Sequence, residues 1–285
     1  MTKDPVVFDN PRAMRAHAAD LRRQGLRIGF VPTMGALHQG HLSLLDYTRE
    51  HCDHLVVSIF VNPLQFDRED DLSGYPRTWE ADLAACAEHG AETIYAPTPA
   101  VMYPEGYQTK VSVTELTRGL CGAGRPGHFD GVATVVLKLF NTVSPHLAVF
   151  GRKDYQQLRM IQRMVIDLDL PVEVKGRPIV REPDGLAMSS RNTHLSPQER
   201  EQALCLYRAL TRAESLVRQG RRDVAALKQA AQDEVAAVAP ARLEYLEVVD
   251  QHSLEPLAVL HRPAVMALAV WLGQTRLIDN MELNP

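Results

Sequence analysis

Gly29-Phe-Val-Pro-Thr-Met-Gly-Ala-Leu-His-Gln-Gly-His41 holds the transition on which the fold turns. The apolar run 28–31 is short and is followed by Pro32, Gly35 and Gly40, the pattern of a buried parallel strand leaving its sheet through a glycine-punctuated turn. A helix is predicted to start at Gln39 or Gly40. Helix N-termini expose unpaired N–H groups and a partial positive charge, so anions settle there. His38 and His41 share one helical face, so both imidazoles can reach the same phosphates, and the glycines let the backbone come close. On these residues alone an ordinary strand-to-helix loop with two surface histidines stands as the alternative, and the rest of the chain decides.

Working outward, apolar runs at 54–61, 92–96 and 146–150 read as further strands, with helical patterns at 40–51, 78–89, 131–143 and 155–168. This alternation is that of βαβ units: an α/β fold with a Rossmann-like parallel sheet and helices on both faces. Ligands on such sheets bind at the carboxyl ends of strands. The candidate reactive residues follow that rule: His38 and His41 come after the first strand, Asn62 and Gln65 after the second, Lys153 and Asp154 after the fourth. Lys153 carries two readings, an ammonium that meets a phosphate or a surface lysine paired with Asp154 on a first helical turn.

Beyond about residue 174 the pattern changes. Helices at 197–219 and 223–238 precede strand-like segments at 242–249, 265–271 and 276–283, which makes a smaller C-terminal α+β domain. The expected division is a catalytic domain over 1–176 and a C-terminal domain over 177–285, with turn-forming Gly176, Pro178, Pro183, Asp184 and Gly185 at the junction. The junction leads into Met188-Ser-Ser-Arg-Asn192, whose hydroxyls and guanidinium suit a triphosphate or a departing pyrophosphate. Taken alone, such a loop reads as a helix cap or turn.

The 285 residues suffice for a large core and two domains. Hydrophobic residues make up 45% and charged residues 23%, with a net charge of −4 at pH 7, which leaves no basic footprint for DNA or RNA. The longest apolar stretch, 264–272, is too short to span a bilayer, and the charged, proline-containing start has no signal-peptide core. A cytoplasmic protein with no nucleic-acid or membrane partner is expected. Cys52, Cys86, Cys121 and Cys205 lack Cys-x-x-Cys spacing, which fits reduced, mostly buried thiols.

His38-Gln-Gly-His41 resembles the His-x-Gly-His element of the nucleotidyltransferase superfamily that includes class I aminoacyl-tRNA synthetases, and Met188-Ser-Ser-Arg-Asn192 resembles their second, Lys-Met-Ser-Lys-Ser-type loop. The whole set of motifs is sharper. It comprises Val31-Pro-Thr-Met-Gly-Ala-Leu-His-Gln-Gly-His41, Ser58-Ile-Phe-Val-Asn-Pro-Leu-Gln-Phe66, Tyr75-Pro-Arg-Thr78, Arg125-Pro-Gly-His-Phe129, Phe150-Gly-Arg-Lys-Asp-Tyr-Gln-Gln157, Met188-Ser-Ser-Arg-Asn192 and Trp271-Leu-Gly-x-x-Arg-Leu-Ile-Asp-Asn280. Together, over nearly the whole chain, these resemble the pantoate–β-alanine ligase family.

The resemblance implies an enzyme whose substrates are ATP, pantoate and β-alanine. The pantoate carboxylate attacks the α-phosphate to give pantoyl adenylate and pyrophosphate, and β-alanine then displaces AMP to give pantothenate. Around ATP it places Pro32, Thr33, Met34, Gly35, Ala36, Leu37, His38, Gln39, Gly40, His41, Gly151, Arg152, Lys153, Asp154, Val180, Met188, Ser189, Ser190 and Arg191. Of these, His38, His41 and Lys153 are the implied catalytic groups, His41 as the acid that assists the departing phosphate. Such a step needs charge neutralisation and alignment more than covalent help. Gln65, Gln157, Asn62 and His128 are implied around pantoate, a small polar acid that calls for amides able to donate and accept, with Gln65 also near β-alanine. Val180 is expected to offer adenine only its backbone.

ATP chemistry calls for magnesium on the β- and γ-phosphates, but the sequence does not locate its ligands. Asp82 carries two readings, a contributor from outside the metal's direct ligands or, the favoured one, an acidic residue on a solvated helical face. Phosphates and water alone are an alternative set of ligands. The resemblance further implies a homodimer, for which the apolar stretch 58–61 offers an interface as well as a core, and a C-terminal domain that closes as a lid over the adenylate. Two rival classes stand beside this reading. One is a nucleotidyl-transferring enzyme with a different acceptor, against which the Gln65 and Gln157 contexts weigh. The other is a non-catalytic nucleotide-sensing or RNA-binding module, against which His38, His41, Lys153 and the acidic balance weigh.

Overall fold

The structure is a computed structural model that describes residues 4–285. In chain order its elements are β1 (Val6–Phe8), α1 (Pro11–Arg23), β2 (Ile28–Thr33), α2 (Gln39–Glu50), β3 (His54–Ile59), α3 (Glu69–Ser73), α4 (Trp79–Glu88), β4 (Thr93–Tyr95), α5 (Pro99–Met102), α6 (Cys121–Gly124), α7 (His128–Val143), β5 (Leu147–Gly151), α8 (Tyr155–Asp167) and β6 (Glu173–Arg177). There follow α9 (Pro197–Gln202), α10 (Leu204–Arg218), α11 (Val224–Ala236), β7 (Arg242–Asp250), β8 (Ala264–Leu272) and β9 (Thr275–Leu283).

β2 and β3 are buried along almost their whole length, as strands covered by helices on both faces must be. Successive side chains alternate faces. Val31, Leu55, Val57, Leu147 and Val149 share one core with Leu44 and Leu45 of α2 and Cys86 of α4, while Phe30 and Phe150 meet Phe140 of α7 edge-on. The result is a six-stranded parallel sheet in the order β1-β4-β3-β2-β5-β6. From β2 the chain winds outward through β3 and β4, then returns to β5 on the other side of β2. Winding therefore reverses between β2 and β5, where loops leaving the carboxyl ends diverge and leave room for a ligand.

The expected parallel sheet is present, with differences at its margins. The half-exposed edge strand β6 reads Glu-Val-Lys-Gly-Arg and carries no apolar pattern, and β1 and α1 likewise lie outside the expected elements. β2 runs on through Pro32 to Thr33; its pairing with β5 ends at Phe30, so the missing N–H of Pro32 removes no ladder bond on that side. In the stretch 58–61, expected as an interface as well as a core, Ser58 is fully buried in β3 between β2 and β4 and Phe60 is 5% exposed, while Ile59 and Val61 are partly exposed. The single helix expected over 197–219 is two, α9 and α10, separated at Ala203.

The chain divides into two compact units. The first runs through Thr114 and includes Arg125–Arg152 and Gln157–Pro178; the second comprises Glu115–Gly124, Lys153–Gln156 and Ile179–Pro285. The last changeover falls close to the expected 176/177, but the two short inserts interrupt the contiguous division drawn from sequence, and the second unit carries Lys153. In that unit β7, β8 and β9 form an antiparallel sheet. Leu206, Leu210 and Leu227 of its helices pack with Val248, Met266, Leu268 and Val270, and Leu120 and Tyr155 of the inserts pack with Val249, Val265 and Ala267. Among the described residues no helix is long and apolar enough to cross a membrane.

Candidate active site

The loop leaving β2 turns through two left-handed residues, Gly35 (φ 81°) and Ala36 (φ 50°). Asp82 of α4 holds this turn: its Oδ2 accepts the Ala36 N–H at 2.9 Å and its Oδ1 the Leu37 N–H at 2.8 Å. Thr33 Oγ1 accepts the Gly35 N–H at 3.2 Å and donates to the Ser58 carbonyl at 2.8 Å, so each N–H of 35–37 has an acceptor. A Cβ at Gly35 would lie 2.9 Å from Asp82 Oδ2, which reserves that position for glycine on space as well as on φ. Asp82 is therefore no solvated residue. It is 3% exposed, because its face of α4 is the inward one that also carries Cys86.

His38 is the N-cap of α2. Its Nδ1 accepts the Gly40 N–H at 3.1 Å, and His41 Nδ1 accepts the His38 N–H at 3.4 Å, a reciprocal capping box built from two imidazoles. A ring whose Nδ1 accepts carries its proton on Nε2 in the neutral form, so both rings present an Nε2–H at the positive end of the helix dipole. Their centroids are 4.1 Å apart with the planes inclined by 32°.

Gln65 ends the 3-10 turn Pro63–Gln65 after β3. Its Oε1 accepts from Asn62 Nδ2 at 3.1 Å and its Nε2 lies 3.0 Å from Met34 Sδ, a weak acceptor. Asn62, 1% exposed, also donates to the Gly131 carbonyl at 3.1 Å and accepts from Tyr103 Oη at 2.8 Å and the Leu64 N–H at 3.4 Å. Asn62, expected as a pantoate contact, has both amide hydrogens and its carbonyl oxygen on these protein groups. His128, also expected there, directs Nδ1 to the Gln65 carbonyl at 2.7 Å and Nε2 to Arg125 Nη1 at 3.4 Å. Arg125 Nη2 donates to the same carbonyl at 3.1 Å and pairs with Asp67. Burial works to raise the Asp67 pKa, but the hydrogen bond and charge of Arg125 outweigh it and hold the carboxyl below its ordinary range. α7 sits so close beneath this turn that a Cβ on Gly131 would be 2.3 Å from the Leu64 carbonyl oxygen.

In the second unit Lys153 belongs to the 3-10 turn Arg152–Asp154 that follows β5. Its Nζ is 3.9 Å from Asp154 Oδ1, so the competing ion pair exists but is long. Gln156, 6% exposed, accepts the Cys121 N–H at 3.0 Å and donates to the Leu116 and Gly119 carbonyls at 2.9 and 2.8 Å, tying the start of α8 to the segment 116–121. Residues 180–188 form a hairpin in which the Met188 N–H donates to the Val180 carbonyl at 3.0 Å and Arg181 bridges Ala187. Ser189 then caps the turn Ser190–His194, its Oγ accepting the Arg191 N–H at 3.3 Å. Asn192 ties this loop to the hairpin through Glu182 and the Ala187 carbonyl.

The first unit thus gathers Met34, His38, His41, Asn62, Gln65 and His128 on loops and helix starts beside the carboxyl ends of β2 and β3, and it also holds Pro32, Thr33, Gln39, Gly40, Gly151, Arg152 and Gln157. The second holds Lys153, Asp154, Val180, Met188, Ser189, Ser190 and Arg191. Sequence reasoning overlooks Tyr103 and Gln156 and places Asp82 on the wrong face of its helix. Only Asp82 left a signal, its four-residue spacing from the apolar Cys86. Among the described residues no group of three or more His, Cys, Asp or Glu side chains could hold a metal ion, and both Asp82 oxygens are bonded to backbone, so these residues do not fit a protein-caged magnesium.

The family model described as Pantoate-beta-alanine ligase matches residues 6–282. The chain is similar to the pantothenate synthetase of Heliobacterium modesticaldum, 53% identical over 275 residues that cover 96% of this chain and 98% of the relative. It is 52% identical over 283 residues to that of Myxococcus xanthus, covering 98% and 97%. The crystal structure of pantothenate synthetase from Thermus thermophilus matches with a TM-score of 0.93 at 46% identity, over 98% of this chain and 100% of that one. Pantoate-beta-alanine ligase from Francisella tularensis, complexed with beta-gamma ATP and beta-alanine, matches with a TM-score of 0.82 at 32% identity over 97% of each chain. The chain belongs to the pantoate–β-alanine ligase family.

Proposed function

We propose that this protein is an ATP-dependent ligase that condenses (R)-pantoate with β-alanine to pantothenate through pantoyl adenylate, with release of pyrophosphate and AMP. The observation that carries the reading is the imidazole cap of α2, which sets two Nε2 donors at one helix N-terminus after the strand where the winding reverses.

In the first step a pantoate carboxylate oxygen bonds to the α-phosphorus as the bond to the pyrophosphate oxygen breaks. Negative charge grows on the departing oxygens, and His38, His41, Lys153, Ser189, Ser190 and Arg191 stabilise it, His41 giving its Nε2 proton to the leaving group. The loop Pro32–His41 supplies the surroundings of the nucleotide together with Gly151, Arg152, Asp154, Val180 and Met188. The N–H groups of Ala36 and Leu37 stay on Asp82. Gln65 and Gln157 grip pantoate, with Asn62 and His128 as further contacts that also hold Gln65 in place; the Nε2 of Gln65, which faces the Met34 thioether, is the donor that exchanges to substrate. In the second step the β-alanine nitrogen, near Gln65, bonds to the acyl carbon, the bond to the AMP oxygen breaks, and the amine gives up a proton to solvent. Magnesium bound with ATP would reduce the charge on the phosphates that the carboxylate approaches. The second unit acts as a lid that keeps water from the adenylate. The enzyme works as a homodimer in the cytoplasm, a compartment that suits its four free cysteines.

Incubation with ATP, pantoate and β-alanine is expected to give AMP and pantothenate; release of ADP would contradict the mechanism. His41→Ala and Lys153→Ala should each slow single-turnover adenylation by about 100-fold or more with the fold intact. Unchanged adenylation would remove that residue from its role.

A further inference from the structure

Asp279 and Asn280 of β9 are 3% and 5% exposed, a depth at which charged and amide groups persist only when their hydrogen bonds are made. Asn280 Nδ2 donates to the backbone carbonyl of Lys153 at 2.8 Å. Asp279 accepts a two-pronged grip from Arg181, Nη1 to Oδ2 at 2.7 Å and Nη2 to Oδ1 at 3.0 Å, and its Oδ1 also accepts the Asn280 N–H at 2.7 Å. Arg181 in turn donates Nη1 to the Gly185 carbonyl at 3.0 Å and Nη2 to the Asn280 carbonyl at 3.3 Å, with its guanidinium 4.8 Å from the centre of the Tyr207 ring. Neighbouring residues of one strand therefore hold two segments that are distant in the chain: the turn that carries Lys153 and the hairpin 180–188 that delivers Met188–Arg191.

A buried ion pair adds little stability over a well-packed apolar pair, and its best-attested use is to fix a register. Asn280 is placed to do the same for a main-chain carbonyl. We propose that Asp279 and Asn280 are positioning residues for adenylation: they keep the Lys153 backbone and the Ser189–Arg191 loop at a constant separation, so that ammonium and loop donors meet one phosphate chain together. The inference rests on the proposed contacts of Lys153 and Ser189–Arg191 with ATP. A misplacement of about 1 Å far from the reacting atoms is enough to lower a rate by roughly 100-fold.

The test compares Asn280→Ala and Asn280→Asp with the parent enzyme, and Asn280→Ala with Lys153→Ala and the double variant, by single-turnover formation of pantoyl adenylate at saturating ATP and pantoate and by thermal melting. Asn280→Ala should slow adenylation by about 10- to 100-fold with little change in the KM for pantoate. Asn280→Asp should be slower still, since it turns a carboxylate oxygen toward the Lys153 carbonyl. Adding Asn280→Ala to Lys153→Ala should cause no further loss, because its effect passes through the lysine. Arg181→Lys keeps the charge without the fork and should slow adenylation and raise the KM for ATP. Normal adenylation in both Asn280 variants, or full additivity with Lys153→Ala, would overturn the proposal. So would the failure of both variants to fold, which would make the pair a folding element only. If Lys153→Ala itself adenylates normally, the assignment of Lys153 fails and this inference with it, whereas failure confined to the Asn280 variants removes this inference alone.

Discussion

At Asp82 a single carboxylate satisfies two consecutive N–H groups of a left-handed turn, so the loop after β2 is shaped by the protein's own contacts. Asp82→Ala leaves both groups without their acceptor, at about 1–3 kcal/mol each when buried. The expected outcome is a lower denaturation midpoint and a raised KM for ATP; an unaltered KM would show that the loop holds its shape by other means. Tyr103→Phe acts one bond further out, because it removes the hydroxyl donor from Asn62 Oδ1. Steady-state kinetics should show the KM for pantoate rising several-fold, in line with a loss of about 1 kcal/mol, while the KM for ATP stays constant. The imidazole pair was legible in sequence because capping is local: strand, glycine turn and helix start lie within a few residues. The anchoring of Asn62 was not, since Tyr103 and Gly131 reach it from 41 and 69 residues away. Asp82 was misread because an acidic side chain on a helix defaults to solvent, although its spacing from Cys86 pointed inward.

Between elements, α7 lies tightly against the turn Pro63–Gln65. Gly131→Ala drives a methyl into the Leu64 carbonyl, and overpacking of this kind costs about 1–3 kcal/mol. The turn should shift and carry Gln65 with it, so stability and pantoate affinity should fall together; a fall in stability with pantoate affinity unchanged would detach Gln65 from that contact. Where α1, β3 and β4 meet, His17 and His54 both place Nε2 on Thr93 Oγ1, at 3.0 and 2.8 Å. Burial lowers the pKa of His17 against the opposing charge of Asp20, and lowers that of His54 against Glu92. The unfolded chain therefore binds more protons in the window just below the ordinary histidine value, and stability there rises with pH. Melting temperature should drop between about pH 7 and pH 5, and replacing either histidine with Gln should flatten that slope; an unchanged slope would place the proton uptake elsewhere. Most strands of the parallel sheet were readable because covered strands are continuous apolar runs. β6 was not, because an edge strand can be polar, and no local pattern encodes the order β1-β4-β3-β2-β5-β6.

For the whole molecule, the unexpected feature is the assignment of Glu115–Gly124 and Lys153–Gln156 to the C-terminal unit. Composition and breaker residues can mark one boundary near 178, but not short excursions held by Gln156, Leu120 and Tyr155, since those contacts link segments distant in sequence. If the second unit serves as a lid, amide exchange across 178–192 should slow when ATP and pantoate are added together, and equal protection with and without them would count against closure. The central claim is that ATP activates pantoate by transfer of AMP to its carboxylate. Pantoate labelled with oxygen-18 in both carboxylate oxygens tests it most directly, with the products of complete turnover read by mass spectrometry. The account predicts one labelled oxygen in AMP and one in the amide of pantothenate. Unlabelled AMP, or label in inorganic phosphate beside ADP, would contradict it.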